Sequence, residues 1–471
     1  MSWPSLFALP PDQRRRHRFH LIGIGGSGLA PIAAVLLEMG FQVSGSDQSA
    51  SARMAALAQA GAGVSLGHDA AHLRRPTGPA LPDLVLISSA VPAQNPELLA
   101  AQAAGIPVVK RQDLLGPLTG GRRVIAVAGT HGKTTTTGMI THVLTRSGRS
   151  PGYIIGSTLP DLGASALGAG PYFVIEADEY DHAFLGLAPH LIVLTNIDWD
   201  HPDCFPTADA YEDSFRRFIA RLQPGGHIIY CHDDPTLRRL AAEHPASNWH
   251  GFGNRSGAAW AVRNIEIEQH QTTYGLCGPD GTLHTVRVAV PGLHNALNSA
   301  AALVAAALSG LPIATAAPLL ADFRGAGRRF EVRGEANGVL VVDDYAHHPT
   351  EIRVTLAAAR AAYPHRELWA VYQPHTYSRT RALLDRFDGA FAAADHVLIT
   401  DIYAAREPVD PGITPAQIAA ASRHPQALPT GDLAATLQTL KASAGPGSLV
   451  VILSAGNATD LAPALLREVD K

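Results

Sequence analysis

The run Ala126-Val-Ala-Gly-Thr-His-Gly-Lys-Thr-Thr-Thr-Thr137 constrains the fold more than any other part of this 471-residue chain. An apolar, β-branched stretch, 124–127, enters a glycine turn, and helix-compatible residues follow it. Gly129 and Gly132 let backbone N–H groups approach phosphate oxygens, Lys133 can reach the β/γ-phosphates, and the Thr134 hydroxyl is placed for Mg2+. Val127 stands where a Walker loop has its outer glycine, so this is a shortened variant. The segment reads as strand, triphosphate-binding loop and helix.

Two more strand–helix alternations flank it. The first opens with Phe19-His-Leu-Ile-Gly-Ile-Gly-Gly-Ser-Gly28, continues as a helix over 29–39 and returns as a strand at 41–43, with later strands at 83–89 and 106–109. The Pro/Gly-rich run 116–121 reads as a linker. The block carrying the phosphate loop adds strands at 172–175 and 191–195 and alternates like antiparallel strands over 260–290. A last block holds strands at 339–342, 367–372, 396–400 and 448–453. Because 471 residues exceed one hydrophobic core, the expectation is α/β with three domains. These are a Rossmann-like unit (1–118), a P-loop-type unit (119–321) and a second Rossmann-like unit (322–471).

Composition removes other classes. A formal charge of −4 argues against nucleic acid as the main partner. Cys204, Cys231 and Cys277 are odd in number and widely spaced, which gives neither zinc spacing nor a disulfide framework and fits a reducing compartment. The basic run 14–18 precedes an apolar segment broken by glycines, so no signal peptide is expected. The apolar stretch 299–321 is interrupted by Ser309-Gly-Leu-Pro312 and reads as two buried helices, not a membrane span. A cytoplasmic protein without membrane insertion is expected.

The first glycine loop is ambiguous. Gly23-x-Gly25-x-x-Gly28, with Asp47 ending the next strand 19 residues later, suits a pyrophosphate at a helix N-terminus. NAD and a UDP-sugar both carry one, so an NAD-dependent oxidoreductase stays open at this point. Two strand ends supply acids. Glu176-Ala-Asp-Glu-Tyr-Asp181 follows one, and Thr195-Asn-Ile-Asp-Trp-Asp-His201 places Asn196, Asp200 and His201 on the same carboxyl edge. Oxygen ligands opposite a phosphate loop suit Mg2+.

The combination of Gly129-Thr-His-Gly-Lys-Thr134, Glu176-Ala-Asp-Glu179, Thr195-Asn196 with Asp200-His201, and Gly292-Leu-His-Asn-Ala-Leu-Asn298 closely resembles the Mur ligases. These are ATP-dependent amide-bond-forming enzymes of peptidoglycan precursor synthesis. The resemblance runs over about 19–461, and its pattern is nearest to the alanine-adding branch through Gly23-Ile-Gly-Gly-Ser-Gly28, His131, Asp343-Asp-Tyr-Ala-His-His-Pro349, Gln373-Pro-His-Thr-Tyr-Ser-Arg-Thr380 and Asp401-Ile-Tyr-Ala-Ala-Arg-Glu407. The relative to exclude is the murein peptide ligase, which attaches a recycled tripeptide to the same sugar; the 373–380 segment separates the chain from it. Thr376, where some relatives carry arginine, and Asn457, where an acid is more usual, depart from the family pattern.

The resemblance implies joining of L-alanine to the lactyl carboxylate of UDP-N-acetylmuramate through an acyl phosphate, with ATP and two Mg2+ sites. It assigns UDP-sugar binding to Gly23, Gly25, Gly26, Ser27, Gly28, Ser46, Asp47, Ser88 and Ser89. ATP would meet Gly129, Thr130, His131, Gly132, Lys133, Thr134 and Thr135, then Asn295, Asn298, Arg328, Arg329 and Asp344. Lys133, Glu176, His201 and Arg329 would be catalytic, with Thr134 and Glu176 on the first metal and His201 on the second. Tyr345, His347, His375 and Arg379 would form the amino-acid pocket. Phe215 stands where several sister ligases carry a carbamylated lysine, so no modified lysine is expected. A monomer or weak homodimer is expected.

Overall fold

The computed structural model describes residues 2–74, 81–245 and 248–467. Three sheets follow one another along the chain. The first holds β1 (Arg18–Ile22), β2 (Gln42–Asp47), β3 (Gly63–Leu66), β4 (Leu84–Ile87) and β5 (Val108–Lys110). All its pairings are parallel, in the order β3-β2-β1-β4-β5. The chain reverses its winding between β1 and β4, and the first glycine loop leaves β1 at that switch point, where ligands of open α/β sheets bind.

The second sheet has ten strands: β6 (Arg123–Ala128), β7 (Gly152–Leu159), β8 (Gly163–Ala166), β9 (Tyr172–Glu176), β10 (Leu191–Leu194), β11 (His227–Cys231), β12 (Asn248–Gly253), β13 (Trp260–Glu268), β14 (Gln271–Cys277) and β15 (Leu283–Val288). Their order is β15-β14-β13-β12-β11-β10-β6-β9-β7-β8. The phosphate-loop strand β6 thus lies between β9 and β10, the two strands whose ends carry the acids. Antiparallel pairing is confined to β13–β15 and the β7–β8 edge. The third sheet contains β16 (Glu331–Ala336), β17 (Val339–Asp344), β18 (Glu367–Gln373), β19 (His396–Thr400), β20 (Ala427–Gly431) and β21 (Ser448–Ser454), in the order β16-β17-β21-β18-β19-β20. Only β16 runs antiparallel to its neighbour.

Apolar patterning explains the layers. β6 and β10 are buried on both faces, as parallel strands under helices must be. Helix Ala208–Ile219 is capped by Thr207, whose hydroxyl accepts the Ala210 N–H, and it buries Tyr211, Phe215 and Phe218 on one face. Helix Leu293–Leu308 has alanines along its length and packs closely against helix Lys133–Arg146. One apolar cluster runs continuously through the first two sheets, and two others cover the opposite faces of the third.

The structure corrects the linker reading of 116–121. Helix Arg111–Thr119 includes Pro117 and buries Leu115, Leu118 and Thr119, so only Gly120 and Gly121 form a turn. Proline is tolerated because the helix is short and ends two residues later. The apolar stretch 299–321 divides between helix Leu293–Leu308 and the short helical turns Ile313–Ala316 and Ala317–Asp322. Among the described residues no helix is long and apolar enough to cross a membrane.

Candidate active site

The loop after β6 works only with glycine at two places. Gly129 has φ +132°, and a Cβ there would lie 2.1 Å from Thr195 Oγ1. Gly132 has φ +82°, and its Cβ would approach Asn298 Oδ1 to 2.7 Å. The end of β10 braces this loop. Asn196 accepts the His131 N–H at 2.9 Å and donates to the His131 carbonyl at 3.0 Å, and Thr195 donates to the same carbonyl at 2.6 Å. Asn196, expected beside a metal, is therefore a support for the loop.

Glu176, at the end of β9, accepts the Thr134 hydroxyl at 3.0 Å and the Gly156 N–H at 2.8 Å. Glu179 is buried, and Lys133 Nζ lies 2.9 Å from its Oε2. His201 Nε2 lies 3.7 Å from Glu179 Oε1, so the expected metal residues separate, Thr134 with Glu176 and His201 beside Glu179. Thr134 and Glu176 form a hard oxygen pair at a spacing that two ligands of one cation can share, which fits Mg2+. Burial lowers the Lys133 pKa, but Glu179, Asp178 and Glu176 outweigh it and raise it.

The third sheet closes over this edge. Arg329 Nη2 reaches Thr134 Oγ1 at 3.5 Å, while Arg328 is held by the third sheet. Arg328 Nε lies 3.4 Å from Asp343, and its Nη2 donates to the Ser454 carbonyl. Arg328 thus braces β17 against β21 while it also borders the cavity that holds Thr134, Glu176 and Arg329. Both guanidinium groups sit 5.1 Å from the Tyr345 ring. Arg379, expected in the amino-acid pocket, sets its fork on Asp200, a buried pair bridging the second and third sheets. Asp200 Oδ2 lies 3.8 Å from His201 Nε2.

His131 is gripped from both sides. Its Nε2 is 3.2 Å from Asp198 and its Nδ1 is 3.1 Å from Glu351, the residue that also caps helix Pro349–Ala362. Burial alone would lower its pKa, but the two carboxylates push it up to about 9. His131, Asp198 and His348 come within metal-ligand distance of one another. Both ring nitrogens of His131 are already engaged, by Asp198 and by Glu351. Burial takes His347 down to about 3 and His375 to about 4, which leaves both imidazoles neutral near Arg379.

Two cavities meet here. One, of about 380 Å3, is lined by His131, His294, Asn295, Asn298, Arg329 and Asp344. Burial raises Asp344 to about 6, and its oxygens accept the Phe330 and Ala346 N–H groups at 2.7 and 2.8 Å. The other, of about 390 Å3, runs from Ser27 and Gly28 past Arg111 to Thr134, Glu176 and Arg329. Arg329 borders both.

Around the first glycine loop, two expected ligand residues, Asp47 and Ser46, are hydrogen-bonded within the protein. Asp47 Oδ2 accepts the Gly25 N–H at 3.0 Å, which turns this carboxylate onto its own loop. Ser46 is fully buried and donates to Glu97 at 2.6 Å. Ser88 lies against Gly23, where a Cβ would come within 3.3 Å of its hydroxyl. Ser89 is exposed, and Gly26 accepts the Ala30 N–H at the start of the following helix. Glu97, held down at about 2 by hydrogen bonds from His20, Ser46 and His72 against the upward push of burial, ties β1 to β2.

The sequence reading missed Glu179, Tyr211, Asp198, Glu351, Arg111 and His294. Glu179 and Asp198 lay inside segments already singled out, but spacing alone cannot say which acid of such a cluster turns inward. Phe215, at the position of interest for a modified lysine, packs against Phe184 and Tyr211.

Comparison with known proteins follows the same division into three. The Mur ligase family, catalytic domain, matches residues 18–123; the Mur ligase middle domain matches 127–306; and the Mur ligase, glutamate ligase domain, matches 328–456. The UDP-N-acetylmuramate–L-alanine ligase of Roseiflexus castenholzii is 41% identical over 459 residues, covering 93% of this chain and 94% of that protein. The crystal structure of the UDP-N-acetylmuramate–alanine ligase of Thermotoga maritima superposes with a TM-score of 0.79 at 25% identity, covering 95% of this chain and 97% of the other. The murein peptide ligase of Psychrobacter arcticus gives 0.71 at 27% identity, covering 95% and 98%. With three matching domains in sequence order and relatives aligned along nearly the whole length, the chain belongs to the Mur ligase family.

Proposed function

We propose that this protein joins L-alanine to the lactyl carboxylate of UDP-N-acetylmuramate with ATP hydrolysis, a step of peptidoglycan precursor synthesis. The observation that carries the chemistry is the shared wall at Arg329: one cavity reaches the phosphate loop from the Asn295–Asn298 side, the other from the first glycine loop. A nucleotide in the first and a sugar-borne acid in the second would bring a γ-phosphate and a carboxylate together beside Thr134. The choice of alanine follows the 41% identity to alanine ligases along nearly the whole chain.

A carboxylate is a poor acylating agent because it would have to expel oxide. Transfer of the γ-phosphoryl group turns the leaving group into phosphate, and the alanine amine then captures the acyl phosphate. Positioning and charge neutralisation therefore carry the catalysis. Lys133 and Arg329 would spread the charge on the moving phosphoryl group, while Gly129, Thr130, His131, Gly132 and Thr135 cradle the triphosphate. Asn295, Asn298 and Asp344 would hold the nucleoside end. Gly23, Gly25, Gly26, Ser27, Gly28, Ser88 and Ser89 would frame the sugar nucleotide, with Arg111 added by the cavity wall. Tyr345, His347 and His375 would enclose the amino acid, with Arg379 and Asp200 holding the two sheets together beside it.

Thr134 and Glu176 would hold one Mg2+, and His201 a second; the cations neutralise phosphate charge when bound. The units would be 1–118 for the sugar nucleotide, 119–321 for ATP and 322–471 for closure. The protein would act in the cytoplasm as a monomer or weak homodimer.

One experiment tests the reading. Pure protein receives ATP, Mg2+ and UDP-N-acetylmuramate, and phosphate release is compared with L-alanine and with the intact tripeptide as acceptor. Release that requires both sugar nucleotide and alanine supports it; release with the tripeptide alone would assign the chain to peptide recycling instead.

A further inference from the structure

Lys133 spends its ammonium group inside its own loop. Nζ lies 2.5 Å from the Gly129 carbonyl, 3.0 Å from that of Thr130, and 3.1 and 2.9 Å from the two Glu179 oxygens. An ammonium has three protons, so two carbonyls and one carboxylate saturate it.

Glu179 in turn is held rigidly. Tyr211 Oη lies 3.0 Å from Glu179 Oε1 and 2.9 Å from Thr130 Oγ1. A carboxylate only accepts, so the single Tyr211 proton points to Glu179 and Thr130 donates to Tyr211. Thr130 accepts the Asp198 N–H at 2.8 Å, which completes a one-directional chain. A Thr130 proton turned to the Asp198 carbonyl, also 2.8 Å away, would leave the Tyr211-to-Glu179 bond unchanged. The Tyr211 ring is fully buried between Phe205 and Phe215, at 5.0 and 5.2 Å. Glu179 is thus a fixed anion that draws the lysine back onto the carbonyls of residues 129 and 130. To reach a β- or γ-phosphate, Lys133 must exchange this carboxylate for phosphate.

We propose that Glu179, oriented by Tyr211, is a positioning residue that holds Lys133 back on its loop, so that ATP binding includes displacement of this ion pair. The inference rests on residues 129–134 being the ATP loop.

Calorimetric titration of the full chain with Mg2+-ATP, without sugar nucleotide or amino acid, tests it. Glu179→Gln should bind about three- to tenfold more tightly than wild type, because the ground-state hold is relaxed. Tyr211→Phe keeps the charge but frees the carboxylate, and should shift affinity in the same direction by less. Asp178→Asn removes a neighbouring acid that pairs with Arg111, at 3.1 Å, and should leave affinity within about twofold. On a Lys133→Ala background the gain from Glu179→Gln should vanish. Unchanged or weaker binding by Glu179→Gln overturns the proposal. So does a gain that survives without the lysine, which would be simple relief of charge repulsion. If Glu179→Gln does not fold, Tyr211→Phe decides: wild-type affinity there refutes the hold. Absence of ATP binding by wild type would instead bring down the loop assignment itself, a different result from normal wild-type binding with no gain in the variants.

Discussion

Arg379 grips Asp200 with two hydrogen bonds, Nε to Oδ1 at 2.8 Å and Nη2 to Oδ2 at 3.2 Å, and also reaches His201 Nδ1 at 3.0 Å. The arginine comes from helix Tyr377–Ala382 beside the third sheet, and the acid from the loop after β10. Both side chains are buried, so one contact joins the closing unit to the catalytic edge and orients His201.

Removal of one partner should leave the other charge uncompensated. Arg379→Ala is expected to cost ~3–5 kcal/mol of docking free energy, the usual penalty for splitting a buried pair. Arg379→Lys should recover only part of it, because a point charge cannot reproduce the fork. Steady-state kinetics and thermal unfolding on both variants check this; near-wild-type activity of Arg379→Ala would refute it.

Lys133→Ala should abolish ATP turnover while UDP-N-acetylmuramate binding survives, since the first glycine loop belongs to a different sheet. Phosphate release and calorimetry with the sugar nucleotide measure the two separately. Equal loss of both affinities would contradict the division of labour.

The pH dependence has a defined sign. His131 is raised to about 9, above the ordinary histidine value of about 6.5. Its contribution is complete below about 6.5 and is lost as pH rises through about 9. The charge faces Asp198 and Glu351, with the His348 ring 4.8 Å away. Clamping of the phosphate loop against helix Pro349–Ala362 should weaken accordingly, and kcat/KM for ATP should fall through alkaline pH. His131→Asn should remove that limb of the profile; an unchanged alkaline limb in this variant would assign it to another group.

Selectivity for alanine should be imperfect. A methyl group gives a pocket only about 1–3 kcal/mol of discrimination, so glycine and serine should act as slow acceptors, at roughly 10- to 200-fold lower kcat/KM. Competition assays with mixed amino acids measure this directly. Complete rejection of both would require a contact beyond exclusion by size.

Much of the architecture was readable because parallel strands under helices leave long apolar runs next to glycine loops. β6 and β21 carry that mark in full, and β9, β10, β18 and β19 carry the apolar run. The edge strands did not. β20 contains Pro429 and β3 is the short Gly63-Val-Ser-Leu66, both half-buried at best, so neither periodicity nor propensity distinguishes them from loop. The acidic segment 176–181 shows the same limit at the site: Glu176 meets Thr134, Glu179 meets Lys133, and Asp178 and Asp181 pair with Arg111 and Lys110 from the first sheet's side.

The order of residues along the chain determined the phosphate loop, the two glycine turns and the α/β class, because each depends on contacts between near neighbours. Which acids turn inward, which of Arg328 and Arg329 faces the loop, and that Arg379 binds Asp200 were decided only in three dimensions. Those choices depend on groups brought together from segments 42 to 195 residues apart, and no local pattern encodes which partner burial will supply.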